Sequence, residues 1–163
     1  MRNMVEVKVG IADLNLVMPP GKIMTIGLGS CIGIALYDKT TQTAGLAHIM
    51  LPDSTQFKKI PQPLKFADLA VPILVKRMED NGCRKRNLIA KIAGGASMFN
   101  FSDKSIISDI GKRNAESVKV ALAKASIPIL AEDTGGNKGR TMIVDSSDGI
   151  VTLKIVGKGI VTL

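Results

Sequence analysis

Two residues of the chain have more chemical potential than the rest: Cys31, at the end of Gly27-Leu28-Gly29-Ser30-Cys31, and His48, the only histidine, in the apolar run 44–50. A free thiol titrates at about 8.5 and is mostly protonated at neutral pH; an imidazole within reach can take its proton and make it a nucleophile. The glycines ahead of Cys31 let backbone approach a substrate closely. They can turn N–H groups of the Gly29-Ser30-Cys31 loop toward an oxyanion. Thr25, six residues before Cys31, is placed to orient the imidazole through its other nitrogen, taking the part of the acidic member of a triad. Each residue also has a plainer reading. A free cysteine is commonly a small buried hydrophobe, a histidine on an apolar strand a satisfied core residue, and a threonine in a strand a strand former. The glycine-rich loop lacks the Lys-Ser/Thr ending of a phosphate-binding loop. Cys83 stands before Arg84-Lys85-Arg86 with no second histidine to serve it, and reads as structural.

What joins Cys31 to His48 is a hairpin. Residues 32–37 alternate β-branched or apolar residues with small ones, 38–43 are polar and turn-like, and 44–50 are apolar again. If the turn pairs Asp38 with Thr43, antiparallel register sets His48 opposite Gly33 and one diagonal step from Cys31, about 7–8 Å between α-carbons. Gly33 offers no side chain between them, so the ring is expected to reach the sulfur. A slip of one residue would put the two groups on opposite faces.

Around the hairpin, residues 5–9 and 22–26 read as strands separated by Pro19-Pro20-Gly21. Residues 55–63 read as an exposed loop, a candidate flap. Helical spacing runs over 64–81, through Phe66, Leu69, Ala70, Ile73, Leu74 and Met78, with Gly82 as the C-terminal cap. Pro72 interrupts it at a cost of about 3 kcal/mol if fully interior. A strand over 88–93, a helix over 113–125, a strand over 127–131 and three closing strands over 141–145, 150–156 and 159–163 complete the pass. With no repeat and no boundary, residues 1–163 are expected to form one domain of layered α/β or α+β type.

Composition narrows the function classes. The net charge of +8 suits an acidic partner surface, yet with 3% aromatic residues and scattered Lys and Arg the chain is a poor candidate for nucleic acid. One histidine and two unlike cysteines supply no metal-ligand spacing, so neither metal nor cofactor is expected, and both cysteines are expected as free thiols. No apolar run approaches the roughly 18 residues of a membrane span, and the first ten residues carry Arg2, Glu6 and Lys8 where a signal peptide is apolar. A cytoplasmic protein, not membrane-inserted, is expected.

Four segments carry a resemblance: Gly27-Leu28-Gly29-Ser30-Cys31, Ala47-His48-Ile49-Met50-Leu51-Pro52-Asp53-Ser54, residues 91–99 with Gly94-Gly95-Ala96-Ser97, and Glu132-Asp133-Thr134-Gly135-Gly136-Asn137. In this order and spacing they resemble the chemoreceptor glutamine deamidase family, CheD. The resemblance implies that Cys31, His48 and Thr25 are catalytic. It also implies hydrolysis of glutamine side chains on methyl-accepting chemotaxis receptors through a thioester. It implies an α+β fold, a layered mixed β-sandwich flanked by helices, similar to the catalytic domain of cytotoxic necrotizing factor toxins. The implied partners are the helical cytoplasmic region of the receptors and the CheC-type phosphatase that acts on phosphorylated CheY. Phe101 and Phe99 are candidates for the docking surface. The reading from another class is an adaptor that stimulates the phosphatase without catalysis.

Overall fold

The β4–β5 hairpin, formed by β4 (Ile32–Asp38) and β5 (Thr43–Ile49), is buried along its whole length, so both of its faces need cover. Successive strand side chains point to opposite faces. In the computed structural model, which describes residues 4–97 and 109–163, Ile32, Ile34, Leu36, Ala47 and Ile49 pack with the core that two helices close. Ala35, Tyr37, Ala44 and Leu46 pack with the core of a second sheet. The result is three layers: helices, central sheet, outer sheet.

The central sheet has the order β2-β5-β4-β6-β7, with β2 (Asp13–Val17), β6 (Leu88–Gly94) and β7 (Ile129–Thr134) completing it. The outer sheet has the order β1-β3-β8-β9-β10 and comprises β1 (Val5–Lys8), β3 (Gly21–Leu28), β8 (Arg140–Asp145), β9 (Val151–Ile155) and β10 (Gly159–Thr162). The β1–β3 and β6–β7 pairs are parallel and the others antiparallel, which makes the fold a mixed α+β sandwich. Both helices lie on the central sheet.

Helix α1 (Ala67–Asp80) buries Ala70, Val71, Leu74, Val75 and Met78, with Pro72 turned to its exposed side. Each large apolar side chain buried in this way contributes roughly 1.5–3 kcal/mol. Gly45 of β5 lets the helix approach, since a β-carbon there would meet Met78 Sδ at 2.8 Å. The helix ends on Gly82, at φ +95°, with the Cys83 N–H donating to Met78 O (3.0 Å) and the Gly82 N–H to Glu79 O (3.1 Å). This is a glycine C-terminal motif in which Cys83 is the buried residue that follows, packed into the helix-side core. Helix α2 (Ile110–Lys124) buries Ala115, Val118, Ala121 and Leu122, and begins three residues before its periodicity suggests. Strand β2 has no counterpart in the sequence reading. Among the described residues no helix is long and apolar enough to cross a membrane.

Candidate active site

Asp38 sets the register on which the site depends. Its Oδ1 accepts from the Thr40 N–H (2.9 Å) and the Thr40 hydroxyl (2.6 Å), closing the turn so that Asp38 pairs with Thr43. His48 is then opposite Gly33, as the hairpin arithmetic requires, and both lie on the face turned toward the outer sheet. Cys31, one step before β4, packs against the same inter-sheet core and is half-buried. The space above Gly33 differs from the expectation. A β-carbon there would first meet Met142 Sδ (2.6 Å), Leu28 Cδ1 (3.1 Å) and Thr25 Cγ2 (3.6 Å), so side chains of the outer sheet fill the gap.

Thr25 reaches His48 from the facing strand β3. Its Oγ1 lies 2.7 Å from Val9 O and 2.7 Å from His48 Nδ1, and Thr25 and His48 are 1% and 0% exposed. A hydroxyl has one proton to give, and a carbonyl can only accept. Thr25 therefore donates to Val9 O and accepts from Nδ1–H, which assigns the imidazole proton to Nδ1 and leaves the lone pair on Nε2. Among the described residues Nε2 has no hydrogen-bond partner, so the ring holds a free basic nitrogen in the tautomer a general base needs.

The loop before Cys31 is held through its carbonyls. Gly29 O accepts from the Ala96 N–H (2.8 Å), Ser30 O from Asn114 Nδ2 (2.9 Å) and Cys31 O from the Gly95 N–H (2.9 Å). Among the described residues, the N–H groups of Ser30 and Cys31 have no backbone acceptor in another residue. Gly94 must be glycine for this arrangement: it sits at φ +119°, and a β-carbon on it would overlap Cys31 O. Arg140, itself buried, steadies the same turn. Its guanidinium donates to Gly94 O (3.1 Å), Gly135 O (2.9 Å) and Asp133 Oδ1 (2.7 Å).

Burial governs the protonation of the pair. It pushes the Cys31 thiol up, only partly offset by its own backbone N–H, and pushes His48 down from 6.5 to about 4. Both shifts disfavour the charged forms, so thiol and imidazole rest neutral near pH 7. The sequence suggested a thiolate stabilised beside imidazole; burial of the two groups instead opposes the charged pair, because it withholds hydration from both ions.

The family described as CheD chemotactic sensory transduction matches residues 50–155. A probable chemoreceptor glutamine deamidase CheD of Clostridium botulinum strain Alaska E43 is 73% identical over 158 residues, covering 97% of this chain and 98% of its own. The corresponding protein of Clostridium novyi is 64% identical over 155 residues, 95% of this chain and 96% of its own. The chain belongs to the CheD family. Among solved structures, the Bacillus licheniformis hypothetical protein YfiH aligns at TM-score 0.40 and 14% identity, over 69% of this chain and 46% of that one.

Of the site residues that the sequence nominates in this CheD-family chain, Thr25 and His48 are in contact, and Cys31 shares their face at the end of the hairpin. Gly29 and Ser30 form the loop that precedes it. Phe99 and Phe101 lie outside the described residues. Cys83 is on the other side of the central sheet, 3.5 Å from Thr41 Oγ1. Sequence reasoning missed Asn114 and Arg140. A signal for Asn114 was present, because it falls in the buried stripe of α2 where an apolar residue is expected.

Proposed function

We propose that this protein is a chemoreceptor glutamine deamidase with Cys31 as nucleophile, His48 as acid and base, and Thr25 as the residue that orients His48. The relatives' printed names support the activity, and the geometry supports the roles. The observation that carries the reading is the Val9–Thr25–His48 chain, which leaves a basic nitrogen, unpaired among the described residues, on the face that Cys31 shares.

In the proposed cycle the Cys31 sulfur attacks the side-chain amide carbon as its proton passes to His48 Nε2. A neutral resting pair makes transfer and attack concerted. The amide oxygen takes up negative charge and is met by the N–H groups of Ser30 and Cys31. The tetrahedral centre collapses, His48 gives its proton to the departing nitrogen, and ammonia leaves a thioester on Cys31. Water then gives a proton to His48, attacks the thioester and releases glutamate and the free thiol.

The substrate region in this reading is the helical cytoplasmic part of methyl-accepting chemotaxis receptors, which sets the enzyme in the cytoplasm, with the CheC-type phosphatase as a second partner. The likeness to the cytotoxic necrotizing factor catalytic domain is part of the same proposal, supported by a sandwich with cysteine and histidine on one inner face.

The test uses a purified receptor cytoplasmic fragment and measures ammonia release together with conversion of glutamine to glutamate in peptides. Cys31→Ala is expected to abolish both and Cys83→Ala to retain them. Turnover by Cys31→Ala at the wild-type rate would refute the reading. An adaptor role would survive the same substitution, so phosphatase stimulation measured in parallel separates the two.

A further inference from the structure

We infer that Asn114 is a positioning residue for this reaction: its side-chain amide holds the Ser30 carbonyl from behind and thereby aims the Cys31 N–H at the oxygen on which charge develops. The inference rests on the reading of Cys31 as nucleophile. Asn114 is fully buried on α2, four residues after its first: its Nδ2 donates to Ser30 O at 2.9 Å and to Met50 O at 3.1 Å. One amide thus bridges the residue before the nucleophile and the residue two beyond the base. A trans peptide is planar, with its C=O and N–H pointing in opposite directions. Fixing the Ser30 carbonyl toward α2 therefore fixes the Cys31 N–H away from it.

The neighbouring carbonyls are held differently. Gly29 O and Cys31 O accept from the backbone N–H groups of Ala96 and Gly95, whereas Ser30 O is held by a side chain. Two carbonyl acceptors also settle which way the amide faces, since its oxygen would repel both. Asn114 Oδ1 is then left buried, with no partner among the described residues. An apolar residue would fit the stripe formed by Gly111, Ala115 and Val118 without leaving an unpaired oxygen. What asparagine adds there is the pair of donors.

The experiment compares Asn114→Leu with the full wild-type chain on a receptor cytoplasmic fragment, and measures alkylation of Cys31 by iodoacetamide in parallel. Alkylation displaces iodide at a saturated carbon and needs no oxyanion donor. The expected result is a fall in kcat of roughly 10–100-fold, from misaimed oxyanion stabilisation, with KM and the alkylation rate within about twofold of wild type. Asn114→Ala is read in the same way should the leucine variant fail to fold. An unchanged kcat overturns the inference, and so does a parallel fall in alkylation, which would make Asn114 a general support of the loop. Cys31→Ala serves as the control. If it remains active the underlying reading fails, whereas an inactive Cys31→Ala beside a fully active Asn114→Leu removes only the role of Asn114.

Discussion

Replacing Thr25 by valine keeps the shape of the side chain and removes its hydroxyl, which severs both links of the Val9–Thr25–His48 chain. Each link is 2.7 Å long, and Thr25 and His48 are 1% and 0% exposed, so no solvent replaces the lost partner. Two buried groups, Val9 O and His48 Nδ1–H, are left unpaired at about 1–3 kcal/mol each. The variant should therefore lose about 2–4 kcal/mol of unfolding free energy after partial relaxation. The catalytic effect has a separate cause. Without an acceptor at Nδ1 the imidazole proton is free to move to Nε2, and a ring protonated there cannot take the thiol proton at that nitrogen. Loss of about 1.4–2.7 kcal/mol of tautomer preference corresponds to a fall of about 10–100-fold in kcat. Thr25→Ser keeps the hydroxyl and should restore most of it. Urea unfolding reads the first quantity and ammonia release the second, while nitrogen-15 spectra of the histidine ring report which nitrogen carries the proton. A Thr25→Val enzyme with wild-type kcat and the proton still on Nδ1 would show that Thr25 does not set the tautomer of His48.

The burial of His48 and Cys31 has consequences for pH dependence. Because burial lowers His48 from 6.5 to about 4, the unfolded chain binds a proton in that interval that the folded chain does not. The contribution is complete above about pH 6.5 and lost as pH falls toward 4, up to about 3 kcal/mol; His48→Asn should flatten the pH dependence of urea unfolding relative to wild type, and an identical slope in both proteins would contradict it. Burial also raises the Cys31 thiol, so iodoacetamide alkylation of the resting enzyme should climb only at alkaline pH. A plateau persisting below about pH 6 would reveal a preformed thiolate–imidazolium pair and overturn the neutral resting state.

Much of the site was legible because local chemistry fixes the hairpin. Asp38 and Thr43 bracket a polar turn, and strand parity then carries His48 to the face of Gly33 and Cys31 with no tertiary information. What fills that face was not legible. Met142 and Leu28 come from the outer sheet, and local alternation does not report which distant strand will face a glycine. Strand β2 was missed for a related reason. Asp13–Val17 is an edge strand with Leu14 and Leu16 between polar residues, and its pairing with β5 is a contact between distant segments. Asn114 and Arg140 act through backbone carbonyls, which leave no mark on the sequence of the loop they hold. The C-terminal end of α1 was legible to within one residue, since Gly82 states in residue type the positive φ that ends the helix, whereas its start lies three residues later than the spacing suggests.

In the proposed reaction the Cys31 sulfur becomes covalently bonded to the substrate carbonyl carbon. Mixing enzyme with receptor fragment, quenching in acid within one turnover and mapping the adduct by peptide mass spectrometry tests it directly. The expected result is an acid-stable, hydroxylamine-labile thioester on the peptide containing Cys31, and none on the peptide containing Cys83. Ammonia release in a single turnover of the wild-type enzyme with no adduct on Cys31 at any quench time would show that no such bond forms.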